Sequence, residues 1–151
     1  MIVSIVVCQL IGILGAIFTS SAIPTWYATL EKPSFVPPDW TFFVVWTFLY
    51  LLVGLALYIV WRKGWDRRDV RLAMGVFGVQ LFLNFLWSIL FFGLRSPLLG
   101  MIAIVFLWFA IIATIWLFYR ISRSAGVLLI PYLAWVSFAA LLNYYIWLLN
   151  P

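Results

Sequence analysis

Charged residues divide this chain into five long apolar runs. None of the runs contains Asp, Glu, Lys or Arg, and they cover residues 1–30, 40–61, 72–94, 96–119 and 124–151. Each run exceeds the roughly 20 residues that an α-helix needs to cross the hydrocarbon core of a bilayer. Only helices and closed barrels satisfy their backbone hydrogen bonds in lipid, and these runs are too continuous for barrel strands. The chain is therefore predicted to be an all-α integral membrane protein, a single bundle of five transmembrane helices.

Composition excludes a water-soluble domain. The chain is 68% hydrophobic and 9% charged, whereas soluble domains are about 45–50% apolar and about 25% charged. We expect one domain over residues 1–151. Its helices are predicted at about 2–22, 40–61, 72–94, 97–119 and 126–149.

The basic residues predict how the bundle is oriented. Seven of the nine Lys and Arg residues fall in two connections, near 62–71 and 120–126, which five spans place on the same side of the membrane. The positive-inside rule then predicts a cytoplasmic amino terminus and an external carboxyl terminus. A basic cytoplasmic side and helical spans fit a prokaryotic inner or plasma membrane. The net charge of +5 thus indicates topology, and no nucleic-acid partner is expected.

The first connection, about residues 23–39, is the only long one. Its segment EKPSFVPPDW places three prolines and two aromatic residues in ten positions. Prolines restrict φ and lower the entropy lost when a loop becomes ordered. We expect this loop to form an ordered lid; the alternative is an aromatic belt that only lies at the lipid headgroups.

The chain lacks the residues from which conventional catalytic sites are built. There is no His and only one Cys, and the expected helix interiors contain no ionisable Asp, Glu, Lys or Arg. A His-ligated metal site and a Ser-His-Asp triad are therefore excluded. The sequence predicts no metal site and requires no cofactor.

Three expected helices instead carry aromatic and amide side chains at helical spacing. The stripes are Phe43, Trp46 and Tyr50; Gln80, Asn84 and Ser88 with Trp87 and Phe91 alongside; and Tyr132, Trp135, Ala139 and Asn143. Amides in lipid normally turn toward the bundle interior. Together the stripes predict an apolar pocket with a few directed polar groups. The alternative is that the amides bond between helices while the aromatic residues only fill the core.

Small residues indicate where helices approach closely. The first helix carries Ser4, Cys8, Gly12, Gly15 and Thr19 on one face, and the third carries Gly75 and Gly78. Such seams tighten helix packing in membranes. Spacing alone does not decide whether either seam serves the fold or a dimer.

Several separated motifs occur in a distinctive order. The first loop and second helix contain Trp26-Tyr27, Leu30-x-Lys32-Pro33, Pro37-Pro38-x-Trp40, Trp46 and Leu49-Tyr50. The third helix contains Gln80-Leu81-x-Leu83-Asn84-x-x-Trp87-Ser88 and Phe91-Phe92-Gly93, and the fifth contains Pro131-Tyr132-x-x-Trp135, Ala139 and Leu142-Asn143. With these motifs the chain resembles, over nearly its whole length, the translocator protein family, also called tryptophan-rich sensory proteins or peripheral-type benzodiazepine receptors.

The resemblance implies five transmembrane helices, often paired as homodimers, and a pocket beneath the first loop. In this family the pocket binds porphyrins and isoquinoline- or benzodiazepine-type ligands. Spacing and resemblance together give these candidate ligand-binding residues: Tyr27, Pro37, Phe43, Trp46, Tyr50, Gln80, Asn84, Trp87, Tyr132, Trp135, Ala139 and Asn143.

Two departures from the family pattern limit what the resemblance implies. Phe35 stands where many members have Trp, which alters stacking near the lid. Eukaryotic members carry a cholesterol-recognition pattern late in the fifth helix, but here no basic residue follows Tyr144 and Tyr145. Looser matches at Leu55–Arg62 and Leu117–Arg123 are expected by chance at helix ends. The sequence therefore argues against cholesterol as a partner.

Three functions follow from these observations. The first is binding of a porphyrin or related tetrapyrrole for sensing, carriage or sequestration. The second is enzymatic: light- and oxygen-dependent degradation of a bound porphyrin beside Trp46 and Trp135. The third is a structural bundle that acts through protein partners, in which the stripes are only core.

Overall fold

The structure, a computed structural model, describes residues 1–150 as a bundle of helices. They are α1 (Ile2–Ala22), α2 (Asp39–Trp61), α3 (Arg68–Ser88), α4 (Pro97–Ile121), α5 (Arg123–Leu128) and α6 (Ile130–Leu149). Because α5 and α6 together form the last span, five helical segments within these residues are long and apolar enough to cross a membrane. The predicted fold class, an all-α bundle of five transmembrane helices, is confirmed.

Some helices extend beyond the positions expected from the charge-free runs. The third begins at Arg68 rather than near 72, and the fifth begins at Arg123 rather than near 126. The fourth ends at Ile121 rather than near 119. A charge-free run marks the segment that lies in hydrocarbon, whereas the helix itself continues into the headgroup region, where charged side chains remain solvated.

The lid-side end of the third span is not a regular α-helix. After Ser88 the chain forms a π-helical turn, Ile89–Gly93, in which the Leu94 N–H donates to the Ile89 carbonyl at 2.8 Å. This extra residue in the turn leaves both Phe91 and Phe92 buried. Turns of this kind are frequent at functional sites.

The fifth span is interrupted at Leu129, between α5 and α6. Pro131 lacks a backbone N–H, so it cannot make the helical hydrogen bond to the carbonyl four residues earlier. The break lies near the basic end of the bundle, and α6 carries the Tyr132, Trp135, Ala139 and Asn143 stripe toward the lid.

The spans pack in a ring that leaves a gap on the lid side. α1 packs against α2 and α3, α3 against α4, and α4 against α5 and α6. The ring closes where α2 meets α5, but α2 makes only slight contact with the much longer α6. Toward the lid, away from the basic connections, α2 and α6 are therefore separated, and aromatic side chains lie in the space between them.

The small-residue seam of α1 serves the fold. A Cβ placed on Gly12 would lie 2.7 Å from Cε2 of Tyr50, and one on Gly54 would lie 2.7 Å from the Cα of Ile5. Since apolar burial does not drive helices together in lipid, such close backbone approach is a main source of their association. Gly75 and Gly78 have no neighbour within 4 Å of an added Cβ, so their seam faces outward.

The loop between α1 and α2 is packed against the bundle. Its 3₁₀ turn, Tyr27–Thr29, buries the ring of Tyr27. The Glu31 N–H donates to Oδ1 of Asn150 at 3.0 Å, and Nδ2 of Asn150 donates back to the Glu31 carbonyl at 2.8 Å. Asn150 thus fastens the loop to the end of α6 at two points. We call residues 23–38 the lid.

Candidate functional site

Trp46 lies at the centre of a cluster of aromatic rings in the gap between α2 and α6. Its ring centroid is 5.7 Å from that of Tyr50 and 6.3 Å from that of Trp87. On the other side it is 6.2 Å from Tyr132 and 6.5 Å from Trp135. The edge-on and tilted geometries are those that aromatic pairs prefer. One side chain therefore joins α2, α3 and α6.

A cavity lies on the α1 side of this cluster. Its volume is about 110 Å³, and α1, α2 and α3 contribute its walls. Phe43, Trp46 and Tyr50 all line it, so the stripe expected on the second helix does form one wall. We call this space the α1 cavity.

A smaller cavity lies directly beneath the lid. It measures about 20 Å³ and is lined by Tyr27 from above and by Ala139 and Asn143 from α6. Three aromatic side chains, Phe42, Trp87 and Phe92, line both this lid cavity and the α1 cavity. These three rings are the partition between the two spaces.

Deeper in the bundle, four polar side chains form a hydrogen-bonded layer. The Tyr50 hydroxyl donates to Oδ1 of Asn84 at 2.9 Å. Nδ2 of Asn84 donates to the Tyr132 hydroxyl at 2.7 Å, and that hydroxyl donates to Oε1 of Gln80 at 2.8 Å. We call these residues the polar layer. It links α2, α3 and α6 through side chains that are all buried.

A second amide supports the wall of the lid cavity. Nε1 of Trp87 donates to Oδ1 of Asn143 at 3.1 Å, and Nδ2 of Asn143 donates to the Pro97 carbonyl at 2.7 Å. Asn143 thus joins α6 to the first turn of α4, and its bond from Trp87 holds the indole against the cavity. The alternative interhelical role of the amides is thus found for Gln80, Asn84 and Asn143, and Asn143 also lines the lid cavity.

Three buried polar atoms within residues 1–150 have no hydrogen-bond partner: Oη of Tyr27, Nε2 of Gln80 and Nε1 of Trp135. Unpaired buried donors are uncommon, and each calls for an explanation. Tyr27 and Trp135 are close to the lid cavity, because the ring of Phe42, which lines it, lies 6.2 Å from Tyr27 and 6.0 Å from Trp135. Both groups are hydrogen-bond donors without an acceptor.

Burial also shifts the ionisation of Tyr27. Desolvation, with a smaller contribution from the negative charge of Asp39, raises the pKa of this phenol to about 12. The hydroxyl therefore stays protonated at physiological pH and remains a donor. The ammonium of Lys32 lies 4.8 Å from the centre of the Tyr27 ring, where a cation–π interaction stabilises the lid.

The structure brings most of the predicted site residues together. Phe43, Trp46, Tyr50 and Trp87 line the α1 cavity, and Tyr27, Trp87, Ala139 and Asn143 line the lid cavity. Trp135 and Tyr132 contact Trp46, and Gln80 and Asn84 lie in the polar layer. These last four line neither cavity themselves. Pro37 is the exception, because it is a half-buried lid residue that lines neither cavity and belongs to neither the aromatic cluster nor the polar layer.

Sequence reasoning missed two parts of the site. The first is the contribution of α1, where Gln9 and Ala16 line the α1 cavity; Gln9, the only amide in the first apolar run, was the available signal. The second is the partition formed by Phe42 and Phe92. Phe42 belongs to no motif or stripe, and although Phe92 stands in the Phe91-Phe92-Gly93 motif, the π turn that places it inside has no sequence signature here.

Fold and site together define a five-span membrane protein with a divided aromatic chamber between a polar layer and a packed lid. Comparison with known proteins names the family. The chain belongs to the TspO/MBR family, whose model matches residues 4–148.

Relatives match over almost the full chain. The tryptophan-rich protein TspO of Archaeoglobus fulgidus is 48% identical over 151 residues, covering 99% of this chain and 96% of that protein. The protein of the same name from Chlorobaculum tepidum is 46% identical, covering 95% and 91%. The translocator protein of Sus scrofa is 40% identical over 123 residues, covering 81% of this chain and 73% of that protein. The resemblance found in the motifs is confirmed.

Proposed function

We propose that the chamber around Trp46 binds a flat aromatic ligand, a porphyrin or related tetrapyrrole, for sensing, carriage or sequestration. The observation that carries this proposal is the packing of Trp87 and Trp135 around Trp46, which lines the α1 cavity; their ring centroids lie 6.3 and 6.5 Å from that of Trp46. Stacked aromatic pairs contribute roughly 0.5–1.5 kcal/mol each beyond the burial of area. Isoquinoline- and benzodiazepine-type ligands are likewise apolar and rich in aromatic rings, and they are expected to compete.

Ligand binding requires the partition to move. Pockets for drug-sized ligands measure about 300–1,000 Å³, whereas the α1 cavity measures about 110 Å³ and the lid cavity about 20 Å³. Rotation of Phe42 and Phe92 away from Trp87 would merge the two spaces. We expect the bound state to be one chamber that extends from the lid to α1.

The unpaired donors favour a ligand with hydrogen-bond acceptors. Oη of Tyr27 and Nε1 of Trp135 have no partner within residues 1–150. A carboxylate or carbonyl on the ligand would accept from them in a setting of low dielectric, where such bonds are strong. The side-chain carboxylates of a porphyrin meet this requirement.

Thermal unfolding with and without protoporphyrin, in the dark, tests the proposal. A ligand that binds only the folded state at a hundred times its Kd stabilises that state by about 2.7 kcal/mol. The wild type should show this stabilisation, and the Trp46→Ala, Trp135→Ala double variant should lose most of it. Trp61→Ala with Trp116→Ala is the matched control, since both residues are exposed on the bundle surface. Equal stabilisation of both double variants would refute the assignment of the site.

A second candidate function is light- and oxygen-dependent degradation of the bound porphyrin. It is favoured by the continuity of oxidisable rings from Trp135 through Trp46 to Tyr50, with centroid separations of 6.5 and 5.7 Å. Illuminated complex should consume oxygen and porphyrin faster than free porphyrin at the same light dose. Equal bleaching rates would exclude this function and leave binding intact.

The membrane setting is part of the proposal. We place the basic connections at 62–71 and 120–126 in the cytoplasm and the lid outside, in a prokaryotic inner or plasma membrane.

We also propose a homodimer. The outward seam of Gly75 and Gly78 offers a surface for it, because close backbone approach at small residues drives association in lipid.

A further inference from the structure

The α1 cavity has its mouth on the lipid-facing side of the bundle. Among the residues that line it, Ile13 is 58% exposed and Phe43 is 38% exposed. Both are large apolar side chains on membrane-spanning helices, so their exposed surfaces face lipid tails. The cavity therefore opens into the bilayer between α1 and α2.

The inner end of the same cavity reaches the lid cavity. Phe42, Trp87 and Phe92 line both spaces, so nothing thicker than this partition separates them. A ligand in the α1 cavity would already touch Trp46, the centre of the aromatic cluster. Only the partition therefore separates the α1 cavity from the lid cavity, and its movement would join them into the proposed chamber.

The lid, in contrast, is closed and held at several points. Tyr27 is 2% exposed, and Asn150 makes two hydrogen bonds to the backbone of Glu31. The ring of Phe35 packs against those of Phe138 and Tyr145, with centroids 6.2 and 5.6 Å away. A ligand passing the lid would have to break all of these contacts.

A side-chain hydrogen bond bridges the rim between α1 and α2. Nε2 of Gln9 donates to the backbone carbonyl of Thr47 at 3.0 Å, and both residues line the cavity. Farther from the lid, α1 is anchored to α2 at Gly54. Toward the lid it is held by α3, where an added Cβ on Gly15 would lie 3.2 Å from Oγ of Ser88. α1 is thus packed closely against α2 at Gly12 and Gly54 and against α3 at Gly15, and the mouth lies at Ile13 and Phe43, whose side chains are exposed.

We propose that the flat aromatic ligand reaches the chamber from the bilayer, through the opening between α1 and α2, while the lid stays closed. Ile13 and Phe43 flank this route, and the Gln9–Thr47 hydrogen bond spans its rim. The inference rests on the proposed binding function. It fits the chemistry of porphyrins, whose flat apolar ring systems partition into membranes.

Reversible cross-links test the route. In a Cys8→Ala background, Ile13→Cys with Phe43→Cys is bridged by a bifunctional thiosulfonate that a reductant releases. Glu31→Cys with Asn150→Cys, bridged in the same way, locks the lid and serves as the matched control. Each protein is placed in phosphatidylcholine bilayers, and association with protoporphyrin is followed in the dark by stopped-flow absorbance.

Relative to the same unbridged double-cysteine variant, the α1–α2 bridge should slow association at least tenfold, and reductant should restore the rate of that unbridged variant. Protein loaded with protoporphyrin before bridging should release it at least tenfold more slowly, because the bridge closes the route without removing the site. The lid bridge should change either rate by less than twofold. Slowing by the lid bridge alone, or by neither bridge, would overturn the route and leave the binding function standing. Absence of saturable binding by the unbridged wild type would instead refute the binding function itself.

Discussion

The polar layer and the aromatic chamber lie next to each other in the bundle but differ in how completely they are packed and bonded. In the polar layer, Tyr50, Asn84, Tyr132 and Gln80 share three hydrogen bonds at 2.7–2.9 Å, and only the Gln80 amide nitrogen lacks a partner. The chamber contains two cavities and two unpaired donors. The difference indicates a division of roles. The polar layer holds three helices in register, and the chamber leaves volume and donors for a ligand.

Breaking the polar layer should give the largest loss of stability. Asn84→Leu removes the acceptor of the Tyr50 hydroxyl and the donor to Tyr132, and unpaired buried groups cost about 1–3 kcal/mol. We expect that loss in the free energy of unfolding, measured by titration with sodium dodecyl sulfate. The double variant Asn84→Leu, Tyr50→Phe should recover part of it, since the orphaned hydroxyl is gone. A double variant that loses as much as the sum of the two single variants would show that these residues are not coupled.

Removing the unpaired donors of the chamber should have the opposite effect on stability. Tyr27→Phe with Trp135→Phe keeps both positions aromatic and removes both donors. The free energy of unfolding without ligand should hold or rise, while affinity for protoporphyrin should fall roughly five- to 150-fold, about 1–3 kcal/mol for the two lost bonds. Calorimetry without ligand and a dark titration measure the two quantities. Loss of stability with unchanged affinity would mean that the donors serve the fold.

The stability of the lid should depend on the side chain of Asn150, which bonds it to the end of α6. Asn150→Ala removes both hydrogen bonds to Glu31, each with a net contribution of about 0.5–1.5 kcal/mol. Hydrogen exchange at residues 23–38 should speed up while exchange in the polar layer stays unchanged. Asn150→Asp keeps the oxygen acceptor for the Glu31 N–H and should show an intermediate rate. Uniform acceleration throughout the bundle would contradict a local clamp.

The smallest expected effect is a loss of lid stability at high pH. The phenol of Tyr27 has a pKa of about 12 in the folded protein against an ordinary value of 10.0. Its stabilising contribution is therefore complete below pH 10 and is lost as the pH rises toward 12, because the unfolded state ionises first. Hydrogen exchange of the lid between pH 9 and 11 should accelerate beyond its intrinsic pH dependence in the wild type and not in Tyr27→Phe. Equal pH profiles would contradict the shift.

Prediction from sequence succeeded where a physical constraint acts on one helix at a time. The lengths of the charge-free runs predicted five spans. The helical period of 3.6 residues predicted that Phe43, Trp46 and Tyr50 share one face of the second helix, and all three line the α1 cavity. It did not succeed where several helices act together. The contribution of Gln9 depends on how α1 packs against α2, and the burial of Phe92 depends on a π turn. Neither is encoded in the periodicity of a single segment.

The most direct test of the ligand chamber is an absorbance titration with protoporphyrin in the dark, following its main absorption band. The wild type and the Trp61→Ala, Trp116→Ala control should give the same saturable shift, and the Trp46→Ala, Trp135→Ala variant should bind at least tenfold more weakly. That result would assign binding to the rings around Trp46. A saturable shift of equal affinity in all three folded proteins, or no shift in any of them, would contradict the account.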